Sequence, residues 1–420
     1  MKTSRKLSGA TLARGLPLSL ALIAAGAVPT SLRAQNVERD PSIANLPRPG
    51  YEPRTIVLGK TVIAPTLDLG VSYDDNILAV PDRKIGDAIF TATPRVLITR
   101  KSPTFDFSAD LHGSIIRYLD HPTENVTTFG AGTNATKGLT KNQTLAAELS
   151  FDRTFERRSD PEASINRTRS PALINFMTAL LRYKFTGARV GLAIEGAISK
   201  IDYLPAVDAD RDMLTYRASV RGSINVGSRI ALFVQPFINR RNFRIKPING
   251  AIFGDNTTIG VLSGLSLDLA DRLQGEIGAG VFRANPDAPG IASFTGLAAN
   301  GRIVWRPRVR TAIVADVFRG DVATIRAGSL GRIDTRLGLS IDQEVRHNLI
   351  VHGGVGWRDI HYRGAADADQ RYLTGEVEMR YLINRHWSAS LGTGYTKRTS
   401  DTREDRFNRW QTTLGLRYSY

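Results

Sequence analysis

The chain has 420 residues and no cysteine. That absence excludes a disulfide framework, a Cys-ligated metal site and a lipid-modified N-terminal cysteine. After residue 34 no stretch stays apolar for the roughly 18 residues a membrane-spanning helix needs, which excludes a polytopic helical membrane protein. GxSxG, HExxH and phosphate-binding loop motifs are missing as well. Histidine is scarce: His112, His121, His347, His352, His361 and His386 are scattered, and His347 and His352 do not converge as zinc ligands. No catalytic residue, metal site or cofactor is therefore expected, and the chain is not expected to be an enzyme.

Hydrophobic residues make up 42% of the chain and charged residues 23%, with a mean hydropathy of -0.18. Those values resemble a soluble protein. They do not exclude a transmembrane barrel, because a barrel strand turns only half of its residues to lipid. The first 34 residues carry Lys2, Arg5, Lys6, Arg14 and Arg33, no acid, and a short apolar run from Leu16 to Val28. This is the pattern of a secretory signal peptide. Its removal lowers the formal charge from +16 to about +11. Export makes nucleic acid an unexpected counter-charge; lipopolysaccharide phosphates or an acidic polymer are expected instead.

Residues 35–61 have no periodicity and are punctuated by Pro41, Pro47, Pro49 and Pro53, which predicts an extended periplasmic leader. From residue 62 to 420 apolar and polar residues alternate in runs of about 10, the length of tilted membrane strands. Leu67, Leu69, Val71 and Tyr73 alternate with Asp68, Gly70, Ser72 and Asp74. Tyr216, Ala218 and Val220 alternate with Arg217, Ser219 and Arg221, and Ile333, Leu337, Leu339 and Ile341 with Arg332, Asp334, Arg336 and Ser340. Short turns at 101–103, 186–187, 227–228, 270–271, 306–308 and 383–385 alternate with longer polar loops. The expected fold is all-β: a transmembrane antiparallel up-and-down β-barrel of about 18 strands (16–18), with short periplasmic turns and longer external loops. The run around Ile230–Ile238 is the least regular, since Pro236 interrupts it and both faces are apolar. Aromatic residues cluster near both ends of the strands, among them Trp305, Tyr381 and Trp387 at one end and Tyr73, Phe155, Trp357 and Trp410 at the other, as two interfacial girdles would.

The segment Arg48–Ala79, RPGYEPRTIVLGKTVIAPTLDLGVSYDDNILA, joins a Pro-Gly-Tyr-Glu-Pro leader to a strand that ends in Tyr-Asp-Asp-Asn-Ile. It resembles the β-barrel porin type 2 family of alphaproteobacterial outer-membrane proteins. The matching motifs cover about a tenth of the chain; the rest agrees in texture and length. The resemblance implies an outer-membrane barrel. It also implies an association with exopolysaccharide synthesis and export, in which some relatives are thought to form the outer-membrane conduit. The last strand, Trp410–Tyr420, resembles the C-terminal strand that the barrel-assembly machinery recognises, ending here in Tyr420.

Alternation assigns charged residues to the lumen: Asp68, Asp106, Asp110, Glu148 and Asp152 from one run of strands, Arg182, Lys184, Arg189, Arg217 and Arg221 from the next. One reading is an acidic wall beside a basic wall, with a transverse field across the pore. The other is pairing across neighbouring strands that braces the barrel. At the outer rim, Asp74, Asp75 and Asn76 suit the end of a strand and the start of a turn; a divalent-cation site is the alternative. No external loop exceeds about 15 residues, which argues against a large infolded constriction loop. The leader is too short for a folded plug domain, although it can thread into the lumen. The leading functional expectation is a polysaccharide-export conduit working with periplasmic components. A passive porin for small solutes comes second, and a structural or adhesive barrel third. Lipid, lipopolysaccharide and the barrel-assembly machinery are the other expected partners.

Overall fold

The computed structural model describes residues 43, 46–163, 166–245, 254–269, 272–287, 291–324, 329–364 and 369–420. The proposed signal peptide, residues 35–42, 44 and 45 of the leader and the 270–271 turn lie outside them. Among the described residues a short strand, β1 (Ile56–Leu58), turns back through Gly59 at φ +62 onto β2 (Thr61–Asp74). The chain then runs up and down through β3 (Asp87–Lys101), β4 (Phe105–Tyr118), β5 (Val126–Thr140), β6 (Gln143–Phe155), β7 (Leu173–Thr186), β8 (Val190–Tyr203) and β9 (Met213–Asn225). It continues through β10 (Ile230–Phe243), β11 (Asn256–Leu269), β12 (Leu273–Pro286), β13 (Phe294–Arg308), β14 (Thr311–Val322) and β15 (Ser329–Arg346). The last strands are β16 (Leu349–Gly364), β17 (Gln370–Leu382), β18 (Trp387–Ser400) and β19 (Phe407–Ser419).

Each strand from β2 onward pairs antiparallel with the next, and β19 returns to β2 in the register Leu414↔Val71 and Leu416↔Leu69. The ring therefore closes with 18 strands and leaves no long unpaired edge. Strand lengths of 12 to 18 residues exceed what the hydrocarbon layer needs, so the walls extend past both interfaces.

The alternation read from the sequence becomes a lipid face and a lumen face. On β2, Leu67, Leu69, Val71 and Tyr73 are 36–58% exposed on the outside. Trp305, Tyr381 and Trp387 are exposed near the short-turn rim, and Tyr73, Trp357 and Trp410 near the long-loop rim. Two expectations change in detail. Phe155 lines an internal cleft, and Ile333 is buried against Phe282, Ala284, Phe294 and Ala298 instead of facing lipid. Both stand at the long-loop end of their strands, where the wall leaves the lipid-facing rows and packs over the mouth.

Pro65, Pro94 and Pro236 sit within β2, β3 and β10 without breaking register, whereas around Pro307 of β13 the register with β14 shifts between Trp305 and Arg308. Between β9 and β10 the ladder skips Gln235 and Pro236 and resumes at Phe237↔Ser219, while Pro94 is skipped in the same way between β3 and β4. A missing N–H costs one rung and leaves the rest in place. The apolar inner face of β10 also has a cause. Phe233 lies beneath the Arg221 guanidinium, 3.6 Å from its ring centre, and Phe237 packs on the cluster around Phe282. On β12, Gly275 adopts φ +143, and a Cβ there would stand 2.0 Å from the Arg302 carbonyl oxygen of β13, so only glycine fits.

Candidate functional site

The lumen wall carries ion pairs between neighbouring strands. Asp68 accepts from Arg417 of β19 at 2.5 and 2.9 Å, across the closing seam. Asp110 binds Arg95 of β3, and His112 stands between Asp110 (3.6 Å) and Asp152 of β6 (3.1 Å). Arg182 donates to Glu195 of β8 at 2.8 Å. Arg221 reaches past β10 and β11 to Glu276 of β12 at 2.8 Å and donates to Ser266 on the way. Lys184 and Arg217 share the inner faces of β7 and β9 with these residues. Glu148 is half-buried on β6 and Asp106 is exposed near the short-turn end of β4. Arg189 stands in the turn before β8 rather than on a strand.

The rim residues have protein partners. Asp74 accepts from the Asn76 N–H at 2.9 Å and pairs with Arg409 at 3.5 Å. Asp75 accepts from the Trp410 N–H at 2.6 Å and pairs with Lys84 at 3.4 Å. Asn76 is fully buried and bonds to Val80 and to the Asn408 carbonyl of β19. The three side chains thus tie the end of β2 to its own loop and to the seam.

Length alone predicts no constriction loop, but the described residues of the 17-residue loop between β6 and β7 fold into the lumen. A loop of that size that doubles back still reaches up to about 28 Å, because an extended residue spans about 3.3 Å. The reversal is made by Asp160, whose carboxylate accepts from the Arg157 N–H at 2.9 Å while its own N–H donates to the Arg157 carbonyl at 2.9 Å. The two bonds close a tight turn over Arg157–Asp160, followed by Pro161. At the base of the loop, Arg158 grips Glu124 through two hydrogen bonds of 2.7 and 3.0 Å.

The tip meets the far wall. Tyr372 donates to the Ser159 carbonyl (3.4 Å), Arg398 to the Asp160 carbonyl (3.2 Å) and Gln370 to the Pro161 carbonyl (3.1 Å). Glu162 is held from several sides. Arg332 of β15 pairs with its carboxylate at 3.1 Å, Thr324 donates to the same oxygen at 2.7 Å, and Arg211 donates to its carbonyl at 3.1 Å. β15 is nine strands on from β6 in a ring of 18, which is diametrically opposite. Burial pushes the Asp160 carboxyl up to about 6, helped by nearby Glu156 and opposed by Arg157. Burial likewise draws the Arg167 guanidinium down to about 10, with Arg158 and Arg398 adding to the effect.

Beside this loop opens a cleft of about 720 Å³, its open side included. Ile174, Phe176, Ile201, Met213 and Phe243 form its apolar wall, and Glu156, Asp160, Glu162, Arg211 and Arg332 its polar one. Arg211 pairs with Glu156 and lies over the Tyr203 ring at 4.2 Å.

The opposite mouth is occupied differently. Ile43 is 1% exposed and packs on Ala312 and Ile350, at the short-turn ends of β14 and β16. Arg48 is 4% exposed and donates to Glu344 of β15 at 3.1 Å and to the Ile43 carbonyl at 2.7 Å. Tyr51 meets His347 edge-on at 5.9 Å. The described part of the leader therefore threads into this mouth. Burial lowers the affinity of Arg48 for its proton, with Glu344 opposing.

Sequence reasoning did not single out Glu162, Arg211, Tyr372 or Arg398, and it placed Arg332 only in the polar row of its strand. The one local signal was the Ser-Asp-Pro-Glu turn of the loop; their convergence depends on the closure of the ring.

A family model described as "Putative beta-barrel porin 2" matches residues 48–420. No curated protein matches the chain. Solved barrels are similar in fold. The outer membrane protein OpdK of Pseudomonas aeruginosa is 10% identical with a TM-score of 0.45, covering 85% of this chain and 99% of its own. OccAB3 of Acinetobacter baumannii is 10% identical with a TM-score of 0.45, covering 86% and 100%. The FrpB iron transporter of Neisseria meningitidis is 10% identical with a TM-score of 0.45, covering 82% of this chain, which spans 63% of FrpB.

Proposed function

This chain belongs to the beta-barrel porin 2 family, and we propose that it forms the outer-membrane conduit of an exopolysaccharide biosynthesis and export system. That it is a porin-like channel of the outer membrane follows from the family and the closed barrel. The observation that carries the finer reading is the construction of the constriction. A ring of 18 strands leaves a wide aqueous bore, and what narrows it is a loop held to the far wall by side-chain hydrogen bonds and ion pairs. Release of those bonds widens the passage without disturbing any strand, which is what a polymer needs.

In this reading residues 1–34 direct export as a signal peptide, and the strand ending in Tyr420 engages the barrel-assembly machinery. The leader at the periplasmic mouth meets the export components, and the lipid face meets lipid and lipopolysaccharide. Deleting the gene and assaying secreted polymer tests it. Loss of surface polymer with normal small-solute uptake is expected; normal polymer secretion overturns it. The infolded loop itself favours a second reading, a passive porin for small solutes, for which the same deletion reverses the pattern.

A further inference from the structure

A water-filled barrel has no need of an apolar face inside it, yet the long-loop ends of β7 to β10 carry one. Ile174, Ile201, Met213 and Phe243 are buried there, while Phe176 packs against them and stays half-exposed. Across the cleft the charges cancel in pairs, Glu156 with Arg211 and Glu162 with Arg332. Each guanidinium is more than nine-tenths enclosed, at 9% and 4% exposure, and each keeps an Nε–H without a hydrogen-bond acceptor. A buried donor left without an acceptor is costly, so its persistence points to an acceptor supplied by something that enters the cleft.

The complement of this lining can be stated in chemical terms. A free anion meets Glu156, Asp160 and Glu162; a free cation meets Arg211 and Arg332; a purely apolar molecule leaves both Nε–H groups unmet. A neutral polyhydroxylated ring meets all three demands, since it has a C–H face for the aromatic wall and hydroxyl oxygens for the donors. Arg211 is already fixed in orientation by the Tyr203 ring beneath it and by Glu156, so it loses little freedom on binding.

We propose that the cleft between the infolded loop and β7–β10 binds a neutral saccharide unit, its C–H face on Phe176 and its hydroxyls on the Nε–H groups of Arg211 and Arg332. This deepens the export reading and rests on it for the source of the saccharide. The site lies beside the constriction, so a passing glycan is held at the loop that must yield to it.

The test uses the full-length protein in planar bilayers, with maltohexaose or cellohexaose added on the long-loop side. Reversible, concentration-dependent interruptions of the current are expected. Phe176→Ala should weaken the apparent affinity about tenfold, the effect of removing one central aromatic contact. Arg211→Lys, which keeps the charge and lacks the Nε–H, should weaken it severalfold. KCl conductance should be unchanged in Phe176→Ala, since Phe176 makes none of the described contacts that seat the loop. If Phe176→Ala does not fold, as read from heat-modifiable gel migration, Phe176→Leu keeps the bulk and removes the flat face. Three results overturn the proposal: no interruption by either hexasaccharide, equal interruption by dextran sulfate, or affinity unaltered in the folded variants. Loss of the interruptions in a protein still required for polymer secretion removes the cleft and leaves the conduit. Interruptions that follow the predicted variant pattern, in a protein not required for secretion, leave the cleft and remove the conduit.

Discussion

The two mouths of the barrel are narrowed by different kinds of chain. At the long-loop mouth the loop between β6 and β7 is anchored at both ends by strands, and it meets β15, β17 and β18 through Glu162 and the carbonyls of Ser159, Asp160 and Pro161. At the short-turn mouth the described part of the leader runs on into β1 and is held by the Arg48–Glu344 pair, the contacts of Ile43 and the edge contact of Tyr51 with His347. Many shared polar links make the first a constriction that stays near the lumen even when one link fails. Among the described residues, one buried ion pair, a small apolar contact and one ring contact make the second a segment that leaves as a unit.

The largest expected effect comes from removing the constriction. Replacing residues 158–170 by a short Gly-Ser link should raise single-channel conductance severalfold, whereas Glu162→Ala alone should give a smaller rise with more current noise, because the carbonyl contacts remain. Equal conductance in the deletion and the parent would show that the loop does not set the bore. The next effect belongs to the leader. Glu344→Ala leaves Arg48 buried without its partner, a cost of about 3 kcal/mol for a broken buried pair. Trypsin added to the short-turn side of proteoliposomes should then cut the leader rapidly while the barrel stays intact, and unchanged cleavage would show that the pair is not the tether.

A smaller effect follows from Asp160. Its carboxyl in the seated loop titrates at about 6, against about 3.9 for a free Asp. The seated form therefore prefers the protonated acid, and this part of the seat's stability, present below the free value, is lost as pH rises through about 6. Conductance should be lower at pH 5 than at pH 7.5, and Asp160→Asn should abolish that difference. Persistence of the pH effect in Asp160→Asn would assign it to another group. The smallest effect concerns the wall between the mouths. Arg217→Glu should shift the reversal potential in a salt gradient toward cation preference by a few millivolts, because neighbouring strands already hold charges of both signs; no shift would place Arg217 outside the conducting path.

Much of the barrel was legible because a period of two needs no knowledge of the fold. Leu67, Leu69 and Val71 are apolar for the same reason that Asp68 is not, and each can be read from its neighbours. Strand β10 was hard to read because Phe233 and Phe237 serve contacts on other strands, under Arg221 and against Phe282. Asp68 and Arg182 were recognisable as lumen residues, but their partners Arg417 and Glu195 lie on other strands, one of them at the far end of the chain. Glu162 was read only as part of a polar loop, since its partner Arg332 is 170 positions away in the numbering.

By itself the sequence determined the strand type, the lipid-facing rows and the alternation of short turns with long loops. Each of these depends on which solvent a residue faces and on the residues beside it. Closure of the ring decided the rest. Only when β19 pairs with β2 does β15 stand opposite β6, so only then can a 17-residue loop reach across to Arg332 and can Arg48 find Glu344. Those contacts depend on the diameter and register of the closed barrel, which no local pattern of residues contains.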